Sequence, residues 1–141
     1  MARKPQNISV FVDSSVLFAA TLSQTGGSAK LFTLKKLKLQ TSRIVLTEVE
    51  RNVREKLENY YLDRFFMLVA KMAILEQNPD DKLILESKKV IVDKDAIILA
   101  EGKISKANVI VTLDQKHFFT DSARNFVKPA KIMNPKELIN S

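Results

Sequence analysis

The 141-residue chain has no cysteine, no tryptophan and one histidine, and its 16 Asp+Glu are outnumbered by 23 Lys+Arg. Without cysteine there is no disulfide framework, no thiolate–zinc site and no cysteine nucleophile, which suits a reducing, cytoplasmic setting. No apolar run approaches the roughly 18 residues of a membrane span, so no membrane association is expected. The opening Met1-Ala2-Arg3-Lys4-Pro5 leads directly into a strand-like stretch, with no apolar signal-peptide region behind it.

What remains is ample for a folded core. Hydrophobic residues make up 45% of the chain, and its length suits one domain over residues 1–141, given a prior of roughly 100–200 residues per domain. The formal net charge of +7 points to a polyanionic partner, nucleic acid first.

Ile8 to Val12 reads as a buried strand, and Asp13-Ser14-Ser15 offers caps for a helix starting near Val16. After a Gly26-Gly27-Ser28 loop, Leu31, Phe32, Leu34 and Leu37 fall near helical spacing. Arg43–Leu46 is a second strand candidate. Beyond it Val49, Val53, Leu57 and Tyr60/Tyr61 line one helix face, with Thr47 as the cap. Leu62–Glu76 is a further helix, stopped by Asn78-Pro79. Lys88–Val92 reads as a strand, Asp95–Lys106 as a helix, and Val109–Val111 and Ala130–Met133 as strands. This alternation implies βαβ units and a three-layer α/β/α architecture with a mostly parallel central sheet.

Ligands of such sheets gather beyond the carboxyl ends of the strands. On this reading each of four strands is followed by an acid: Asp13, Glu48, Asp93 or Asp95, and Asp114. Singly each has another reading, as a helix cap, a first-turn acid or a turn residue. Jointly they would repel, and a hard divalent cation, Mg²⁺ or Mn²⁺, resolves the conflict. Glu50 stands about 200° around the helix from Glu48 and pairs better with Arg54 at i,i+4. Glu48 is therefore the preferred member, while Asp93 and Asp95 remain alternatives.

At these residues the chain resembles the PIN domains, the nuclease fold of VapC-type toxins and several RNA-processing nucleases. The resemblance runs through Val10-Phe11-Val12-Asp13-Ser14-Ser15 and Leu46-Thr47-Glu48-Val49. Its most specific part is Asp95-Ala96-Ile97-Ile98-Leu99-Ala100, followed by Val109-Ile110-Val111-Thr112-Leu113-Asp114. It implies metal-binding, catalytic acids at Asp13, Glu48, Asp95 and Asp114, with Ser15 and Thr112 supporting them. Ser15 replaces a common Asn, and Leu113 a common Gly. The implied activity is Mg²⁺- or Mn²⁺-dependent hydrolysis of phosphodiesters in single-stranded RNA by a toxin whose antitoxin inserts a segment into the acidic cleft. A housekeeping RNA-processing nuclease, a structure-specific DNA nuclease and a non-catalytic RNA-binding module are the alternatives.

Lys116 and Arg51 are candidates for phosphate contact, as are Lys35, Lys36, Lys38, Arg54, Lys103 and Lys106, although solvated helix faces explain most such residues. His117 reads as a surface or packing residue, with a place in the cleft as the alternative. Tyr60, Tyr61, Phe65 and Phe66 read as core or dimer packing rather than base-stacking platforms, and the family implies a homodimer with the Tyr60–Met67 segment as its surface.

Overall fold

Residues 7–141 are described by the computed structural model, so the Met1–Pro5 opening lies outside the described residues. Five short strands pair in parallel throughout: β1 (Ile8–Val12), β2 (Leu37–Ser42), β3 (Ala73–Leu75), β4 (Val109–Val111) and β5 (Lys131–Met133), in the order β3-β2-β1-β4-β5. Val10, Phe11 and Val12 of β1 and Ile110 and Val111 of β4 have no exposed surface, as strands covered on both faces require.

The helices are α1 (Ser14–Leu22), α2 (Gly27–Leu31), α3 (Arg43–Lys56), α4 (Tyr60–Val69), α5 (Asp81–Lys88), α6 (Asp93–Ile104), α7 (Gln115–Phe118), α8 (Asp121–Val127) and α9 (Pro135–Ile139). Those from α1 to α4 pack with one another and those from α5 to α8 likewise, with α9 against α2. The two groups form the outer layers of the expected α/β/α sandwich. From β1 the chain winds outward through β2 and β3, then returns to build β4 and β5 on the other side. The strand order therefore reverses between β1 and β4, where open α/β sheets leave a crevice for ligands. Among the described residues no helix is long and apolar enough to cross a membrane.

Several elements differ from the sequence expectation. Leu37 belongs to β2 rather than to a helix: the run from Leu37 to Thr41 alternates in burial, a period of two that a 3.6-residue reading absorbs into the preceding leucines. The expected strand at Arg43–Leu46 is the first turn of α3. Its cap is Ser42, not Thr47, and Ser42 Oγ accepts from the Val45 amide at 3.2 Å. The buried stripe Val45, Val49, Val53 thus starts a turn earlier than Val49, while Ile44 is left exposed. The long helix Leu62–Glu76 is two elements, because Ala73–Leu75 pairs with the end of β2; tertiary pairing overrides local periodicity there. Lys88–Val92 is no strand but the end of α5 and a turn into α6, with Ile91 buried against the core.

The α6 helix lies unusually close to the sheet. A Cβ on Gly102 would stand 2.7 Å from Ile110 Cδ1 and 3.1 Å from Ile110 Cγ1, and Ile110 is fully buried. Gly102→Ala should therefore destabilise the fold, overpacking costing about 1–3 kcal/mol against about 1 kcal/mol gained in helix propensity. Urea unfolding measures the difference; a more stable variant would contradict this packing.

Candidate metal centre

Asp13 follows β1 directly and Asp114 stands three residues past the end of β4, so the sheet brings them together at the point where strand order reverses. Asp95 and Glu48 do not follow strands, contrary to the expectation. Asp95 lies in the first turn of α6, and Glu48 is six residues past the Ser42 cap of α3. Four acids still converge, two delivered by strand ends and two by helices. Asp93, the alternative to Asp95, is exposed. Glu50 pairs with Arg54 at 3.1 Å, as its spacing predicts.

Asp13 is 4% exposed. Its Oδ2 accepts from Thr112 Oγ1 at 2.7 Å and from Ser15 Oγ at 2.8 Å. The same two hydroxyls accept from the loop after β4: Ser15 Oγ from the Leu113 amide at 3.0 Å, Thr112 Oγ1 from the Asp114 amide at 3.1 Å. One carboxylate and two hydroxyls thus tie β1 to the segment carrying Asp114. Serine is long enough for this task despite replacing Asn. Leu113 uses only its amide here, its side chain is exposed, and among the described non-glycine residues positive φ occurs only at Lys106. The backbone at Leu113 therefore needs no glycine. Ser14 Oγ donates to Glu48 Oε2 at 3.0 Å, linking α1 to α3.

The tightest cluster joins Asp95, Asp114 and His117, whose ligand atoms all lie within 4.8 Å of one another. His117 is the residue that the sequence reading demoted. Asp114 caps α7, accepting from the His117 amide at 3.1 Å, and its Oδ2 lies 2.8 Å from His117 Nδ1. The three-residue spacing that makes this cap was the available signal. With its proton on Nδ1 the imidazole orients Asp114; with Nδ1 deprotonated it can serve as a ligand.

Burial pushes the Asp13 carboxyl above its ordinary range despite the Thr112, Ser15 and Ser14 donors, and the charge of Glu48 adds to the rise. Asp95 is raised first by burial and then by the charge of Asp13; Asp114 adds to this, while Lys94 and His117 oppose it. Among the described residues Asp95 Oδ2 is buried without a hydrogen-bond partner. His117 Nδ1, 3.7 Å away, is too distant to supply one. A buried, unpartnered carboxylate oxygen among like charges is costly, and a hard cation would relieve both costs. The carboxylate oxygens of Asp13, Asp95 and Asp114 suit Mg²⁺ or Mn²⁺, so these residues fit such an ion.

Of the basic candidates, Arg51 lines a cleft of ≈ 320 Å³ with Glu48 and Arg43. Lys116 lines one of ≈ 440 Å³ with His117, Lys88 and Lys89. Others are engaged elsewhere: Arg54 with Glu50, and Lys103 with the Phe126 carbonyl at 2.7 Å.

No family model matches the chain, and no curated protein matches it in sequence. Solved structures do match in fold. PAE2754 from Pyrobaculum aerophilum aligns with a TM-score of 0.66 at 14% identity, over 97% of this chain and 96% of that one. A chain of VapBC2 from Rickettsia felis, solved bound to a DNA fragment from their promoter, aligns with a TM-score of 0.66 at 15% identity, over 90% and 98%. A chain of VapBC-1 from nontypeable Haemophilus influenzae aligns with a TM-score of 0.61 at 14% identity, over 92% and 99%. At such identities the likeness is one of fold.

The raised carboxyls have a consequence for stability. An unfolded Asp titrates at about 3.9, below the folded values of Asp13 and Asp95. The contribution of these two carboxyls to metal-free stability is therefore fully present below that pH and is lost as pH rises through their folded-state pKa values. Asp95→Asn should flatten the decline and raise metal-free stability at neutral pH. Mn²⁺ at about 100 times its Kd should add about 2.7 kcal/mol to the wild type and little to the variant. Urea unfolding across pH, with and without Mn²⁺, checks both; an Asp95→Asn protein that is less stable and still responds to Mn²⁺ would contradict the centre.

Proposed function

We propose that the chain is a single-domain, cytoplasmic endoribonuclease that hydrolyses phosphodiesters of single-stranded RNA with Mg²⁺ or Mn²⁺, and that it serves as the toxin of a toxin–antitoxin pair. The observation that carries the reading is the convergence of Asp13, Glu48, Asp95 and Asp114 on one crevice, with Asp95 Oδ2 buried and unpartnered. Asp13, Asp95 and Asp114 would hold the ion, and Glu48 would complete the acidic rim. When bound, the ion supplies Lewis-acid polarisation of a phosphoryl oxygen and a lowered pKa for the attacking water.

The protein's own residues do the rest. Thr112 and Ser15 lock Asp13 in one rotamer through Oδ2, and His117 fixes Asp114 in the same way. Locked carboxylates need little reorganisation when charge builds on the substrate, which is the basis of electrostatic catalysis. Lys116 and Arg51, in clefts adjoining His117 and Glu48, would engage flanking phosphates without reading sequence.

The fold shared with chains of two VapBC structures supports the toxin role and an antitoxin protein as partner. An exposed stretch of α4, with Tyr60, Phe66 and Met67 each about half exposed or more, supports a homodimer. The expected split of the aromatic segment is therefore uneven: Phe65 is core, at 2% exposed, while Phe66 faces outward.

Purified protein should cleave single-stranded RNA but not flapped DNA, and EDTA should abolish the cleavage. Asp13→Asn and Asp95→Asn should each lower the rate at least about 100-fold, the scale of losing one preorganised electrostatic group. Expression should arrest growth unless an antitoxin encoded beside the gene is supplied. Undiminished cleavage in both variants would refute the site, and salt-sensitive RNA binding without cleavage would identify a non-catalytic RNA-binding module instead.

A further inference from the structure

One buried acid takes no part in the centre. Glu101, on α6, is 2% exposed and sits six residues beyond Asp95. Its Oε1 accepts from Ser42 Oγ at 2.7 Å, and Ser42 is itself 1% exposed. Ser42 Oγ in turn accepts from the Val45 amide as the cap of α3, and Glu48 stands six residues beyond that cap. The bond therefore joins the two helices that deliver Asp95 and Glu48, at equal sequence distance from each acid.

Among the described residues, no other side-chain hydrogen bond or ion pair connects α6 to α3 or its cap. The other polar ties of α6 to neighbouring elements run elsewhere, Ala96 to Ser87 on α5, Lys103 to Phe126 on α8 and Asp95 toward His117 on α7. The neighbouring Gly102 presses α6 onto Ile110 and Phe11 of the sheet, which holds the Glu101 side of the link steady. A leucine or methionine would fill this buried position without taking a carboxyl out of water, since burial disfavours a charge on Glu101 and raises its carboxyl above the ordinary range. The carboxyl is useful there as an acceptor for Ser42.

We propose that Glu101 is a positioning residue: by holding the Ser42 cap of α3 against α6, it sets where Glu48 stands relative to Asp95. This rests on the assignment of Glu48 and Asp95 to one metal centre. Metal-ligand geometry depends on such supporting hydrogen bonds, whose loss typically weakens metal affinity about 10–100-fold.

The test uses the full chain with Glu101→Gln, which keeps an acceptor, and Glu101→Leu, which does not. Each variant is checked for folding by urea unfolding and titrated with Mn²⁺ by calorimetry. In metal-free protein, NMR follows the Glu48 side-chain carboxyl shift and hydrogen exchange at the Val45 amide. The expected result is a folded Glu101→Leu protein with Mn²⁺ affinity about tenfold weaker, a displaced Glu48 signal and faster Val45 exchange. Glu101→Gln should stay close to wild type on all three readouts. A folded Glu101→Leu protein with unchanged Glu48 and Val45 signals overturns the proposal. If Glu101→Leu does not fold, Ser42→Ala breaks the same bond from the other side and is judged by the Glu48 signal. A wild type that binds no Mn²⁺ would refute the proposed function, and the metal-free NMR readouts would still decide the role of Glu101.

Discussion

The structure depends on a concentration of negative charge that the protein does not neutralise by itself. Asp13 is buried and Asp95 partly so, and beyond burial the charge of Glu48 raises the Asp13 carboxyl while the charges of Asp13 and Asp114 raise that of Asp95. A net charge of +7 offers abundant cations, but they lie around the crevice rather than in it. Lys94 and His117 provide only partial relief to Asp95. The local deficit of positive charge is what makes this crevice a candidate for a divalent ion.

The architecture serves that concentration in two ways. Reversal of strand order between β1 and β4 brings the buried carboxyl ends of the two strands together, so Asp13 and Asp114 emerge side by side. The hydroxyls of Ser15 and Thr112 then fasten those ends to each other, each donating to Asp13 and accepting an amide of the next loop. Helices contribute the other acids, and they must be located by packing. The close approach at Gly102 places α6, the stripe Val45, Val49, Val53 places α3, and the buried Ser42–Glu101 bond runs between them.

The fold class was legible because β1 ends in the apolar run Val10-Phe11-Val12 and β4 is wholly apolar, each followed at once by a polar residue, a pattern that few alternatives produce. The same simplicity misled at Arg43–Leu46 and Lys88–Val92, where brief β-branched runs belong to a helix turn and a connector. Periodicity cannot separate strand from buried helix over four residues. The reverse error, at Ala73–Leu75, arose because a three-residue edge strand is defined by pairing with β2 rather than by its own pattern. All four acids were nameable before the structure, although the reasoning that each follows a strand holds only for Asp13 and Asp114. His117 and Glu101 were harder to see. A lone histidine is usually packing, which outweighed its three-residue spacing from Asp114; a mid-helix Glu is usually solvated, and only three-dimensional neighbours reveal that Glu101 meets Ser42.

If Asp13, Glu48, Asp95 and Asp114 form one ion-binding crevice, a divalent ion must be found between them. Anomalous diffraction from crystals soaked in Mn²⁺ measures this most directly. Mn²⁺ density is expected within about 2.0–2.6 Å of carboxylate oxygens, with Asp95 Oδ2 among the ligands and Asp13 and Asp114 contributing the others. A crevice without manganese, in which Asp95 Oδ2 instead meets a lysine ammonium, would contradict it.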